Sequence, residues 1–391
     1  MIRSCFHGPM LYGTPALEAA DKAVLDEVGD MRQDLSRRLA ETHRWDGQLR
    51  RHLQARAIQG SNSIEGYQAS VEDIQSIMAG EEPLDASDAV AKEIGGYQQA
   101  LTYIALLSKA PFFRYDLGVL NALNFMMIGH HRHKTPGLVR PGPIYIRDSL
   151  SREVVYEGPE AALVPGLLDE LIGWLNDGGL DLPSYVRAAM AHLNLVKIHP
   201  WRDGNGRMSR ALQTLVLGRD QITTPEFSSI EEWLGQHRVT VDYYDVLAAV
   251  GGRRWQPHGD TLAWVRFCLR AHHLQAQRVR QRLAEAGEVW TLLEGEVDRD
   301  GLNTRCVSAL YEAFVSRRVR RSRYQADEDL SQGQAARDLR DLTAKRWLQP
   351  YGETKGRHYT AGPRLARLKE EFAGRVTPLR DPYRREVRRR S

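Results

Sequence analysis

Ile198-His199-Pro200-Trp201-Arg202-Asp203-Gly204-Asn205-Gly206-Arg207-Met208-Ser209-Arg210 brings an imidazole, a carboxylate, a Gly-Asn-Gly turn and two arginines into one short stretch. Upstream, Pro183 to Ile198 carries Val186, Met190, Leu193 and Val196 at a helical period. Pro200 stops that helix and biases His199 away from the α region. Downstream, Arg207 to Leu217 reads as helix again, with Ala211, Leu212, Leu215 and Val216 on one face. The stretch is therefore a tight helix–loop–helix connection. Its second helix points an N-terminus, with unpaired N–H groups and the positive end of its dipole, at the loop, a setting that suits phosphate.

Each polar residue has a chemical use there. Asp203 is an oxygen ligand for Mg²⁺, which keeps several waters and takes one or two carboxylates plus phosphate oxygens. Asn205 can donate to a phosphate oxygen, and Gly204 and Gly206 can offer backbone N–H groups. Arg207 and Arg210 lie one turn apart, and guanidinium forks match phosphate geometry. His199 titrates near neutral pH and is the candidate general base.

Residues His199 to Arg210 resemble the Fic family signature, His-x-Phe-x-Asp/Glu-Gly-Asn-Gly-x-x-x-Arg, with Trp201 where the family usually has Phe. The larger indole brings an N–H that needs a partner. The resemblance implies transfer of AMP from ATP, with Mg²⁺, to the Ser, Thr or Tyr hydroxyl of a target protein, which could be the chain itself. It implies a mostly α fold: a Fic-type helical domain with a small β-hairpin flap, followed by a C-terminal winged helix-turn-helix. The expected division is 1–110 for an N-terminal helical region, 111–284 for the catalytic domain and 285–391 for the winged-helix-like unit with a basic tail.

By the same resemblance, Ser61, Glu65 and Gly66 fit the Ser/Thr-x-x-x-Glu-Gly/Asn motif of Fic proteins that carry an inhibitory helix. Gly66 would end that helix, and Glu65 would pair with Arg210 and withhold it from the γ-phosphate. Ile144-Tyr145-Ile146 and Val154-Val155-Tyr156 are β-prone triplets joined by the polar run Arg147 to Glu153. In this family such a flap holds the target segment by strand addition. Tyr243 and Tyr244 resemble a family Tyr-Tyr segment placed near the adenine, although aromatics at helical spacing are more often core.

His130, His131 and His133 invite a metal, but they share no helical face and no acidic residue is near them in sequence, so they read as loop histidines. In the last third, helical stretches at Leu302 to Phe314 and Ser331 to Leu342 precede two short strands, the winged-helix order. Arg317, Arg318, Arg320, Arg321, Arg323 and the tail Arg384 to Arg390 could serve DNA phosphates, a solvated surface or a protein partner. Asp338 and Asp341, on the second of these helices, would oppose phosphate.

Bulk properties agree with an enzyme of ordinary composition. Of 391 residues, 42% are hydrophobic and 27% charged, and the net charge of +4 favours no partner class. Cys5, Cys268 and Cys306 are scattered and odd in number, which argues for a reducing, cytoplasmic setting without a disulfide framework. The N-terminus lacks a signal-peptide apolar region, and no apolar run reaches the ~18–20 residues that span a bilayer. Two other functions stay open: removal of AMP with Glu65 aligning water, and a DNA-binding regulator whose Fic domain senses nucleotide. A homodimer is also open.

Overall fold

The computed structural model describes residues 11–148, 151–222, 228–353, 356–375 and 377–383. The tail arginines and Cys5 lie outside these residues. The expectation of a mostly helical chain is met. The helices are α1 (Ala19–Ala40), α2 (Asp46–Ile64), α3 (Val71–Met78), α4 (Asp88–Leu107) and α5 (Leu117–Ile128). After a hairpin, β1 (Tyr145–Arg147) and β2 (Val154–Glu157), come α6 (Val164–Gly173), α7 (Ser184–Ile198) and α8 (Asn205–Arg219). A short α9 (Glu231–Leu234), α10 (His237–Ala249) and the long α11 (Leu262–Arg299) follow. Polar side chains set several starts: Ser70, Ser87 and Asp116 accept from Asp73, Val90 and Val119 N–H, each capping the first turn.

α7 and α8 form the most extensive helix pair and are sheathed by α4, α5, α6 and α11. Val186, Met190, Leu193, Ile198, Met208, Leu212 and Leu215 are all fully buried, so the loop between the two helices is anchored at both ends in core. β1 and β2 pair antiparallel, with Ile146 opposite Tyr156. The outer side of β2 receives a further bond, Glu157 N–H to Arg253 C=O at 2.9 Å. Among the described residues, β1 is paired on one side only.

The final third holds α12 (Cys306–Val315), α13 (Arg321–Asp327), α14 (Gln332–Ala344), β3 (Leu348–Tyr351), β4 (His358–Ala361) and α15 (Pro363–Ala373). β3 and β4 form a hairpin, and Val319 bridges to Tyr359 beside it. A capping box starts α14, with Ser331 and Gln334 exchanging bonds. α13 and α15 go beyond the two helices read from sequence, the former because its arginines looked like a solvated run.

Two apolar cores result, and they do not follow the expected divisions. The first draws on residues from Leu11 to Ala276, and the second runs from Leu35 to Phe372. The division at 284 falls inside α11, whose Trp264, Val265 and Leu269 belong to the first core and whose Val289, Leu293 and Val297 belong to the second. The helix runs on past the expected division because its apolar stripe continues; Gly287 and Gly295 cost some propensity but do not stop it. α2 also spans both: Leu49 and Leu53 pack in the second core, Ile58 and Ile64 in the first.

Two charge readings change. Asp338 is buried, bound by Arg305 at 2.7 and 3.0 Å and by the Tyr324 hydroxyl at 2.9 Å, so it is a packing group and presents no charge to a phosphate. The arginine run largely faces the chain's own acids: Arg318 binds Asp73 and Asp85, Arg320 binds Glu81, and Arg323 binds Asp327. The Arg318 and Arg320 contacts fasten the C-terminal unit to α3 and the segment after it, and all of these pairs reduce the charge left for nucleic acid.

Candidate active site

His199 caps α7 in the left-handed region, at φ 52° and ψ 59°, away from the right-handed α region as its following proline demands. Its Nδ1 lies 3.0 Å from the Val196 carbonyl. A carbonyl only accepts, so Nδ1 carries the proton and Nε2 keeps its lone pair. Burial pushes the imidazole pKa down to about 4, aided by Arg140, although the Val196 bond and the nearby Glu65 and Asp203 work the other way. The ring is therefore neutral at pH 7 and able to take a proton.

Arg140, not singled out in the sequence, fixes this loop. Its guanidinium donates to the carbonyls of His199 at 2.8 Å, Gly142 at 2.6 Å and Pro159 at 2.7 Å, and its N–H donates to Pro200 at 2.8 Å. One buried side chain thus ties both ends of the hairpin to the backbone around His199.

Asp203 stands at the head of α8. One oxygen accepts from Gly204 N–H at 2.6 Å, and the other is held by the Lys134 ammonium. Burial opposes its charge, but the bond to Lys134 and the pull of that ammonium outweigh it, and the carboxyl is held below its usual range. Gly204 has φ +77°, a value that suits glycine, and lets the chain turn into the helix. The first α8 bond runs from Met208 N–H to Gly204 C=O at 2.9 Å, which leaves the N–H groups of Asn205, Gly206 and Arg207 ahead of the ladder.

The expected phosphate ligands divide. The Asn205 side chain is turned back on the loop: it accepts from Trp201 N–H at 3.0 Å and donates to Trp201 C=O at 2.8 Å. It braces the turn and has no free amide for phosphate. Trp201 is fully buried, and its indole N–H finds Asn121 at 2.9 Å. Arg207 is also withdrawn, buried against Glu93 at 2.7 Å and over the Tyr67 ring. Burial alone would raise the Glu93 pKa; Arg207 and the two histidines beside it instead hold it near 2.

Arg210 is the arginine that faces the site. Its Nε donates to Ser61 Oγ at 2.8 Å, and its Nη2 donates to the Ser61 carbonyl at 3.0 Å and to Glu65 Oε1 at 2.7 Å. Nη1 is buried without a partner among the described residues. Glu65 reaches this point because α2 ends in a Schellman turn: Gly66 has φ +87°, its N–H bonds Ser63 C=O, and Tyr67 N–H bonds Asn62 C=O, both at 3.0 Å. A Cβ on Gly206 would lie 2.5 Å from Glu65 Oε1. The carboxylate therefore sits directly over the first turn of α8.

The two tyrosines do not contact an open nucleotide site together. Tyr243 is core: its hydroxyl meets His192 Nε2 at 3.0 Å and its ring packs among Trp264 and Phe267. Tyr244 is half exposed, and its hydroxyl donates to Ile64 C=O at 3.3 Å, beside Glu65. In the hairpin, Tyr145 and Ile146 lie in β1, while Ile144 precedes it and accepts from Gly158 N–H at 3.2 Å.

Residues 114–217 match the Fic/DOC family profile. Residues 114–217 thus form a Fic-type region, matched to that family over about a quarter of the chain. The chain is 31% identical over 236 residues to protein adenylyltransferase Fic of Culex quinquefasciatus, covering 59% of this chain and 43% of that protein. It is 27% identical over 215 residues to protein adenylyltransferase fic-1 of Caenorhabditis elegans, covering 53% and 39%. The chain thus spans about two fifths of the length of these relatives. A Fic family protein from Desulfovibrio desulfuricans G20 superposes with a TM-score of 0.57 at 22% identity, covering 90% of this chain and 99% of that one. Fic-1 from C. elegans does so with a TM-score of 0.54 at 24% identity, covering 68% and 74%. No helix among the described residues is long and apolar enough to cross a membrane.

Proposed function

We propose that this Fic protein is a protein adenylyltransferase that moves AMP from ATP to a target hydroxyl, and that Glu65 holds it at rest. The observation that carries this reading is the Glu65 carboxylate on Arg210, seated over Gly206 at the head of α8. A helix N-terminus with unpaired N–H groups and an arginine is an anion site, and here an anionic side chain of the same chain occupies it.

With Glu65 withdrawn, the head of α8 and Arg210 receive the triphosphate, and the unpartnered Arg210 Nη1 supplies a further donor. His199 Nε2 takes the proton from the attacking hydroxyl, which forms a bond to the α-phosphorus as pyrophosphate leaves. The target segment pairs with the free edge of β1, and Arg140 sets that hairpin against His199. The donor set suits Mg²⁺, since Asp203 is an ionised hard oxygen and Lys134, which now holds it, is a flexible cation able to turn aside. When bound there, the ion neutralises phosphate charge.

Mass spectrometry of the protein after incubation with a nucleotide mixture tests this. Glu65→Gly should gain the mass of one AMP per modified site, and His199→Ala in that background should gain none. If Glu65→Gly gains no more than the parent, the regulatory reading is wrong; if another group is added, the nucleotide is wrong. A second reading, AMP removal, rests on the Glu65 carboxylate seated at the head of α8 beside Arg210, where it would align a water. Release of AMP from a pre-adenylylated target, lost in Glu65→Gln, would favour it.

We place the enzyme in the cytoplasm, where Cys268 and Cys306, free and buried, stay reduced. The C-terminal unit is read as a winged helix. Its committed arginines favour a role in holding α3 over one in binding DNA.

A further inference from the structure

Two of the three histidines that the active site leaves unused, His130 and His131, acquire an acidic partner in the fold. α5 ends at Ile128, and the turn after it brings both His130 and His131 against Glu93 of α4. His130 Nε2 lies 3.1 Å and His131 Nε2 2.5 Å from the same oxygen, Oε1. Oε2 is already held by Arg207 at 2.7 Å. Among the described residues this is the one group of three metal-ligating side chains whose donor atoms all lie within 4.8 Å of one another.

We propose that Glu93, His130 and His131 form a binding site for a divalent first-row transition metal, of the two-imidazole, one-carboxylate type, with solvent completing the coordination. The donor set is the one that suits Zn²⁺ and its neighbours and leaves open positions. The separations are close to what it needs. Bonds of about 2.0–2.1 Å in a tetrahedral arrangement put ligand atoms about 3.3 Å apart; the His130 contact is near that, and the His131 contact must widen by less than an ångström. The carboxylate is ionised at neutral pH, as a ligand must be. Access is open: the His130 and His131 side chains are 21% and 29% exposed, while Glu93 is buried.

The site also has an outer partner. Arg207 on Oε2 fixes the carboxylate so that Oε1 faces the imidazoles, the orienting role that a charged neighbour plays around metal ligands. His133, whose ring stands edge-on to His131 at 5.7 Å, is outside the set. The site is distinct from Asp203, whose carboxylate faces Lys134 and whose single hard oxygen suits Mg²⁺.

The test uses tag-free full-length protein stripped with chelator, titrated with Zn²⁺ by calorimetry and with Co²⁺ by visible absorption. One equivalent should bind, with Co²⁺ giving the d–d bands of a nitrogen and oxygen environment. His130→Ala/His131→Ala should lose that equivalent, while His133→Ala and His199→Ala keep it and excess Mg²⁺ fails to displace it. Should the double variant not fold, as judged by circular dichroism, each single variant should weaken binding by more than the ~10–100-fold that losing an outer partner costs. No stoichiometric binding, or binding unchanged when these two imidazoles are gone, overturns the proposal. None of these readouts involves AMP transfer, so the outcome is independent of the proposed reaction.

Discussion

Two glutamate–arginine pairs sit three residues apart on α8, and they differ in one respect. Glu93–Arg207 is closed, with the two side chains 2% and 1% exposed; in Glu65–Arg210 the arginine is 1% exposed but the glutamate 29%. Their lengths are equal at 2.7 Å. A pair sealed on both sides can only break at the cost of leaving a buried charge alone, so it is architecture. A pair whose acid reaches solvent can open by rotation of one side chain, with its charge rehydrated as it leaves. Only the second has the properties of a latch.

The largest effect should come from breaking the closed pair. Glu93→Ala strands the Arg207 guanidinium, whose Nε is already without a partner among the described residues. Removing one partner of a buried pair costs about 3–5 kcal/mol, a fall in Tm of about 4–6 °C for a chain of this size. Thermal denaturation of metal-free protein measures it. A shift within a degree or two would mean that Arg207 finds another acid or water.

Breaking the open pair should act on rate and leave stability nearly alone. A charge-assisted bond contributes about 1.5–3 kcal/mol, so Glu65→Gly should raise AMP incorporation tenfold to a hundredfold, while its Tm moves far less than that of Glu93→Ala. If the two variants lose similar stability, the exposed acid is as structural as the buried one and the distinction fails. Tyr244→Phe probes the same latch more gently. Its hydroxyl holds the carbonyl of Ile64, the last residue of α2, and a neutral bond of this kind is worth about 0.5–1 kcal/mol. Basal incorporation should rise about two- to fivefold, measured with labelled ATP. A fall would place Tyr244 in nucleotide binding after all.

The same contrast explains what could be read from the sequence. The loop from His199 to Arg210 was legible because its chemistry is local: a proline stop, a Gly-Asn-Gly turn and a helix start define where each group points. Glu65 was legible through its motif. Glu93 and Lys134 were not, because they meet Arg207 and Asp203 across 114 and 69 residues, and no period or spacing encodes such a pairing. For the same reason the histidines at 130 and 131 seemed to lack an acid. Asn205 and Arg207 were assigned to phosphate by residue type, whereas burial decides their use: the amide closes on Trp201 and the guanidinium on Glu93. Tyr243 shows the opposite case, an aromatic at helical spacing that turned out to be core. The division at 284 cut through α11 because a local pattern does not show that the helix has a second core to enter, which Val289, Leu293 and Val297 join.

The smallest effect should be that of pH, and it separates the site's own chemistry from the latch. Burial disfavours the imidazolium of His199, so its pKa falls to about 4 and the neutral, proton-accepting form persists well to the acid side of neutrality. An imidazole at the ordinary value near 6.5 would lose roughly eightfold in its basic form between pH 7 and pH 5.5. At a pKa of about 4 it loses only a few per cent, and Asp203, held low by Lys134, keeps its charge over the same range. Incorporation by Glu65→Gly should therefore change less than twofold from pH 7 to pH 5.5 and fall steeply only as pH approaches 4. A several-fold loss already at pH 5.5 in this variant would show that removing the latch opens His199 to water and restores its ordinary titration. The carboxylate over Gly206 would then be shielding the imidazole as well as blocking the phosphate, and the two pairs would differ in a second respect, since Glu65 is among the charges acting on His199 whereas Glu93 is held by Arg207.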